Sequence, residues 1–227
     1  MGKYTTLLFD ADNTLMDFYA AEEAGIKNTC TAYGINYTKE IGQLYSAIND
    51  SFWKRFEKGD VKREEIKIGR FREFVKAIGA DIDPEKIAAR YIEELSKGKM
   101  LLDGALPLCQ KLCQKYDMYI ITNGNSYVQK KRFSGSGLEP YFKKIFISED
   151  MGVKKPDKAY FDKVLAEIFE TDKSKICIIG DSMSSDILGG INAGVDTCFF
   201  NRNGDERIYE PTYEVISFKE MEKLFYE

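Results

Sequence analysis

The chain has 227 residues, 44% of them hydrophobic and 31% charged, with a net charge of −4. That composition suits a soluble globular protein with core enough for one large domain or two small ones, and it offers no basic footprint for a nucleic-acid polymer. The count of His is 0, which excludes Ser-His-Asp and Cys-His catalysis, H-E-x-x-H zinc sites and phosphohistidine chemistry, and leaves acid-base work to carboxylates, Lys, Tyr or Cys.

The five cysteines, Cys30, Cys109, Cys113, Cys177 and Cys198, form no C-x-x-C pair. They read as reduced, mostly buried thiols of a cytoplasmic protein. Cys109 and Cys113 share a helix face, where core packing is a simpler reading than a metal site. No apolar run reaches the roughly 20 residues of a membrane span. Asp10 interrupts what could have been a signal-peptide core. Met1-Gly2-Lys3-Tyr4-Thr5-Thr6 fits a myristoylation pattern formally, but it runs straight into a predicted buried strand.

Residues 4–9 read as that strand, and Asp10 and Asp12 appear where it should stop. Residues two apart in a strand share a face, so two like charges are pressed together and need compensation. A hard cation supplies it most simply, and Mg²⁺ suits such oxygen ligands. Asn13 and Thr14 can turn the chain. Beyond Leu15 the character changes to amphipathic and helical. Helices are predicted over 20–33, stopped at Gly34; over 38–58, ended by Gly59-Asp60; over 62–78, ended by Gly79; and over 84–97, with Asp83 as cap, Pro84 at the first position and Gly98 as stop. Four helices on short connections read as a compact bundle.

From Leu101 onward strands alternate with helices. Helices are predicted at 105–115, 126–134, 157–169 and 186–193. Strands are predicted at 118–121, 145–147, 176–179 and 197–200. The alternation implies βαβ units and a mainly parallel sheet. The first strand must join that sheet, because Leu7–Phe9 cannot be buried alone. The expected architecture is therefore α/β: a Rossmann-like core of residues 1–15 and 98–227, interrupted by a helical cap of residues 16–97.

Ligands of an open parallel sheet bind outside the carboxyl ends of its strands. There the pattern collects Asp10 and Asp12, Thr122 and Asn123, and Asp181 with Asp186 five residues on. Lys154-Lys155-Pro156 precedes a helix start that also favours anions. Pro156 restricts Lys155 to an extended conformation. Carboxylates, a hydroxyl, an amide and a lysine together describe a metal-phosphate site.

With these residues in place the chain resembles the haloacid dehalogenase-like phosphohydrolase superfamily. The motifs are Asp10-Ala11-Asp12-Asn13-Thr14, Thr122, Lys155-Pro156, and Gly180-Asp181 with Asp186. Several stretches are similar to its pyrimidine 5′-nucleotidase branch: Gly69-Arg70-Phe71, Ile121-Thr122-Asn123-Gly124, Ile147-Ser148-Glu149 and the run 185–194. The resemblance implies a Mg²⁺-dependent phosphomonoesterase with an aspartyl-phosphate intermediate. Asp10 would be the nucleophile and Asp12 the acid-base, its backbone carbonyl also a metal ligand. Lys155 would offset charge, while Thr122 and the Asn123 backbone N–H would hold phosphate. Asp181 would bind metal, and Asp186 would orient Lys155 or a metal water. The inserted helices would close over the site, with Phe18 and Tyr19 lining the substrate. Tyr45, Phe52, Trp53 and Phe56 read as the interior of the helical bundle rather than as base-stacking rings, and Arg70 as a substrate contact or a solvated charge. The implied partner is a small phosphorylated metabolite, a pyrimidine nucleoside monophosphate first. Neither a nucleic-acid polymer nor a membrane is implied, and the chain would be a monomer or homodimer. Rival readings are a sugar-phosphate phosphatase, a phosphomutase, and a non-catalytic binding protein of the same fold. A dehalogenase is disfavoured, since that chemistry needs neither Mg²⁺ nor an acid at Asp12.

Overall fold

The computed structural model describes residues 3–226. Met1 and Gly2, on which the myristoylation pattern falls, lie outside them. Strand β1 (Thr6–Phe9) opens the chain. It is followed by four helices, α1 (Phe18–Ala32), α2 (Lys39–Lys58), α3 (Arg70–Ala77, entered through a π-helical turn at Glu65–Gly69) and α4 (Pro84–Leu95). After these come α5 (Ala105–Leu112), β2 (Asp117–Thr122), α6 (Ser126–Phe133), β3 (Lys144–Ile147), α7 (Ser148–Met151), α8 (Lys158–Glu167) and β4 (Ile176–Gly180). A second π-helical turn (Met183–Ile187) leads into α9 (Leu188–Ala193), followed by β5 (Asp196–Phe200), β6 (Tyr213–Val215) and α10 (Phe218–Phe225). The chain divides into two compact units: Met1–Asp17 with Lys99–Glu227, and Phe18–Gly98.

In the α/β unit the six strands lie in the order β3-β2-β1-β4-β5-β6, and every neighbouring pair is parallel. The order reverses between β1 and β4, which is where a doubly wound sheet opens a crevice. Alternation along β1 shows why the strand sits at the centre. Leu7 and Phe9 join the core on one face with Leu108, Leu112, Met221 and Phe225 of α5 and α10. Leu8 joins the other face with Tyr160, Phe161 and Val164 of α8. Both faces are covered, so the strand reads as a continuous apolar run. Cys109, Cys177 and Cys198 pack within this unit as free, buried thiols, and Cys113 is half-buried.

The helical unit follows its caps. Thr38 accepts the backbone N–H of Ile41 at the head of α2, and Asp83 accepts that of Glu85 at the head of α4. Gly59 ends α2 with φ +84°, a left-handed conformation that glycine adopts without strain. The helix predicted over 62–78 runs continuously over 63–77, widening into a π turn at Glu65–Gly69 before Arg70. The reading missed α7, β6 and α10. β6 is an edge strand of 3 residues, too short for alternation to show. α10 did carry a start signal, Ser217 followed by Glu220, and Ser217 does accept the Glu220 backbone N–H.

Candidate active site

The loop after β1 turns tightly. The N–H groups of Leu15 and Met16 both donate to the Ala11 carbonyl, at 3.0 and 2.8 Å, and Asn13 N donates to Met16 O at 2.7 Å. Asn13 takes φ +59°, which asparagine tolerates better than most residues. Asp10 is tied to β4 through its N–H to Ile179 O, 2.8 Å, so its carboxylate stands at the carboxyl edge of the central strand. The Thr14 hydroxyl donates to Asp181 Oδ1 at 3.3 Å, joining this loop to the end of β4.

Lys155 is the hub. It is 1% exposed, and its ammonium donates to Asp10 Oδ1 (2.6 Å), Asp186 Oδ1 (2.7 Å) and the Ile121 carbonyl (3.0 Å). Three acceptors use all three ammonium hydrogens. Its neighbour Lys154 is half-buried. The Lys155–Pro156 peptide is cis. The Asn123 side chain pins this segment, its amide donating to Lys155 O and its carbonyl accepting from Lys155 N, both at 2.9 Å. Asp186 is held from its other oxygen by Ser182 N at 3.2 Å. A Cβ on Gly180 would lie 2.2 Å from that same oxygen, so only glycine lets Asp186 approach.

Among the described residues, Asp10, Asp181 and Asp186 offer carboxylate oxygens that all lie within 4.8 Å of one another. Three carboxylates face one ammonium. Burial, foremost, pushes Asp10 up to about 7; Lys155 pulls it down, while Asp186 and Asp12 add to the rise. Asp181 is raised by burial and then by Asp10 and Asp186. Burial disfavours the charge on Lys155, yet Asp10 and Asp186 outweigh it and its pKa stands above the ordinary value. Converging hard oxygens with surplus negative charge fit a divalent cation of the Mg²⁺ kind. The Asp12 carboxylate is not in this cluster; it is engaged by Arg132 and Gln129. Only its backbone carbonyl is left to serve a metal.

Thr122, at the end of β2, is 1% exposed. Its Oγ1 accepts from Gly124 N and from Gln129 Nε2, each at 3.1 Å. Both lone pairs are then taken and its hydroxyl hydrogen is left to give, which suits a phosphate oxygen. The sequence reading missed Gln129 and Arg132. The signal was there: α6 buries Val128, Gln129, Arg132 and Phe133, so two polar residues occupy inward positions between apolar ones. Glu149 holds the head of this helix by accepting from Ser126 N (2.6 Å) and Asn125 Nδ2 (2.8 Å).

Within the helical unit, Phe18 is half-buried and Tyr19 is 50% exposed, their rings 6.3 Å apart. Tyr19 lines a cleft of about 210 Å³ with Glu22, Tyr37, Gln43 and Ser46. Tyr45, Phe52 and Phe56 are buried in that unit and Trp53 is half-buried. Arg70 is neither solvated nor free to meet a substrate at the surface: it is buried, donates to Asn49 Oδ1, and lies over the rings of Phe71 and Tyr91. A helix-interior position beside Phe71 and Phe74 requires that burial.

Residues 7–200 match the family model for haloacid dehalogenase-like hydrolases. The chain is 40% identical to a Bacillus subtilis protein assigned as HAD-hydrolase YfnB, over 97% of this chain and 95% of that one. It is 36% identical to pyrimidine 5′-nucleotidase PynA of Streptococcus pneumoniae (96% and 93% covered) and 34% identical to pyrimidine 5′-nucleotidase YjjG of Escherichia coli (98% and 98%). A crystal structure of YfnB bound to magnesium superposes with a TM-score of 0.95 at 38% identity, covering 100% of both chains.

Proposed function

This chain belongs to the haloacid dehalogenase-like hydrolase family, and on that footing we propose that it is a Mg²⁺-dependent 5′-nucleotidase acting on pyrimidine nucleoside monophosphates. The observation that carries the reading is the meeting of Asp10, Asp12, Thr122, Lys155 and Asp181 around the carboxyl ends of β1, β2 and β4. The pyrimidine preference is supported by two relatives that bear that activity in their names.

In this mechanism Asp10 attacks phosphorus in line and becomes an acyl phosphate. Asp12 protonates the leaving 5′-oxygen, then takes a proton from the water that releases phosphate. The Thr122 hydroxyl and the Asn123 backbone N–H hold phosphate oxygens. Lys155 offsets the negative charge on the transferring group and keeps Asp10 aimed. Asp10, Asp181, Asp186 and the Asp12 carbonyl would hold Mg²⁺ directly or through water. Bound there, the ion supplies charge neutralisation between carboxylates and phosphate. Phe18 and Tyr19 are assigned to the nucleoside on chemistry alone, since aromatic rings stack on bases.

The test is phosphate release from UMP, dUMP, dTMP, purine nucleotides and sugar phosphates, with Mg²⁺ and with chelator. Preference for the pyrimidine nucleotides, lost on chelation, is expected. Turnover of sugar phosphates alone would keep the chemistry and remove the nucleotide assignment. No turnover by a folded protein would favour a non-catalytic binding protein.

A further inference from the structure

Helix α6 carries two buried polar side chains that the reaction above does not use. Gln129 and Arg132 are each 1% exposed, and both point at Asp12. Arg132 donates from Nη1 to Asp12 Oδ1. Gln129 donates from Nε2 to Asp12 Oδ2 at 2.5 Å and to Thr122 Oγ1 at 3.1 Å. We propose, resting on the hydrolase reading above, that Gln129 and Arg132 are positioning residues that select Oδ2 of Asp12 as the proton-carrying oxygen and align it with the phosphate seat.

A guanidinium has only donors and carries a full positive charge. A hydrogen on Oδ1 would sit against that charge and weaken the charge-assisted bond from Arg132. The partner of Oδ2, the Gln129 amide, is neutral, so the hydrogen belongs on Oδ2, which can give it outward and still accept from Gln129. The same amide nitrogen fills a lone pair of Thr122, while Gly124 N fills the other. Gln129 thereby aims the hydroxyl hydrogen of Thr122 and the reactive oxygen of Asp12 from a single NH₂ group. The backbone makes room for it: a Cβ on Gly124 would lie 2.2 Å from Gln129 Nε2.

The step balances as follows. A bond forms between an Asp10 carboxylate oxygen and phosphorus, and the ester P–O bond breaks with its electron pair on the ester oxygen. That oxygen takes the hydrogen from Oδ2 of Asp12, so an alcohol leaves and Asp12 becomes a carboxylate. Water then gives a proton to Oδ2 while its oxygen attacks phosphorus, and the phosphorus bond to Asp10 breaks with its pair on Asp10.

The hypothesis is tested by leaving-group dependence. An alkyl leaving group such as the nucleoside of UMP needs the proton from Asp12, whereas 4-nitrophenolate leaves with little help. For Arg132→Met we expect kcat/KM on UMP, which reports the steps up to departure of the alcohol, to fall about 10- to 100-fold, part of the full contribution of general acid catalysis. On 4-nitrophenyl phosphate kcat/KM should fall about threefold or less, since protonation of that leaving group matters little. Arg132→Lys should recover part of the UMP loss, and Arg132→Met should add nothing in an Asp12→Asn background. If Arg132→Met does not fold, Gln129→Leu, reaching Asp12 from the other side, should show the same split. Equal loss of kcat/KM on both esters, or additivity with Asp12→Asn, would falsify the assignment. A wild type that cleaves neither ester overturns the proposed function together with it; a wild type that cleaves both, with no split in the variants, overturns the positioning role alone.

Discussion

The two units each bury a charged cluster, and the clusters differ in kind. In the α/β unit the carboxylates of Asp10, Asp181 and Asp186 converge on one another, and a single ammonium, that of Lys155, bonds Asp10 and Asp186. In the helical unit the Glu22 carboxylate is held by neutral donors and linked through Asn49 to one guanidinium. Glu22 accepts from Ser46 Oγ (2.7 Å) and Asn49 Nδ2 (2.6 Å), and Asn49 in turn accepts from Arg70. The second cluster uses both Glu22 oxygens and closes a relay between α1, α2 and α3, with the half-buried Asp50 as the nearby like charge. The first is left short of positive charge. Burial of charge alone therefore does not mark a site; an unbalanced cluster with converging ligand atoms does.

That contrast can be broken or sharpened by substitution. The largest expected effect is on turnover. Asp10→Asn should lose about 10⁴-fold or more in kcat for phosphate release, as removal of a nucleophile does elsewhere, while the melting temperature holds or rises because a repulsive charge is gone. A clear fall in melting temperature would show that the excess charge was not a liability. Next comes the Glu22 relay. Arg70→Met strands Glu22 and Asn49 and should destabilise the chain by about 3 kcal/mol or more, read from denaturant unfolding; an unchanged midpoint would make the relay incidental. Smaller is Asp181→Asn, which should raise the melting temperature of metal-free protein by a few degrees and abolish the stabilisation that added Mg²⁺ gives the wild type. An undiminished Mg²⁺ shift in that variant would move the metal elsewhere.

The smallest effect is a slope in pH. Burial, helped by the Asp50 charge and partly offset by Ser46, Arg70 and Asn49, holds the Glu22 carboxyl at about 7 against an ordinary 4.5. Between those values the folded chain keeps a proton that the unfolded chain has released. The contribution of Glu22 to stability is therefore greatest below pH 4.5, declines as pH rises through the window, and is lowest and level above 7. Glu22→Gln can accept from Asn49 and donate to Ser46, so it should flatten that decline and melt higher than wild type at pH 8. Parallel melting curves across pH for the two proteins would remove Glu22 as the source.

The sheet and the site motifs were legible because each rests on local chemistry. Apolar runs ending in Asp10, Thr122 and Asp181 are strands that must stop at polar groups, and Gly59 or Pro84 signals helix ends on its own. Arg70 was not legible, since its burial depends on Asn49, a residue 21 positions away. The Asp12 partners were missed for the same reason: Gln129 and Arg132 lie 117 and 120 positions along the chain. A polar side chain looks alike in sequence whether it meets water or a buried carboxylate. The π-helical turn at Met183–Ile187 also has no local signature; only Ser182, which accepts from Ser185 N, hints at a helix start there.

Strand β1 precedes the other strands in the chain, yet both of its partners, β2 and β4, come after the helical unit. During synthesis at about 5–20 residues per second, its apolar residues must wait for more than a hundred further residues before β2 can zip onto one edge, and for β4 to seal the other. Asp10 at its tip is thus the first polar group of the site to leave the ribosome. A nascent chain arrested before β4 holds Asp10 without Asp181 or Asp186, so the carboxylate cluster is completed late, with the closing of the sheet.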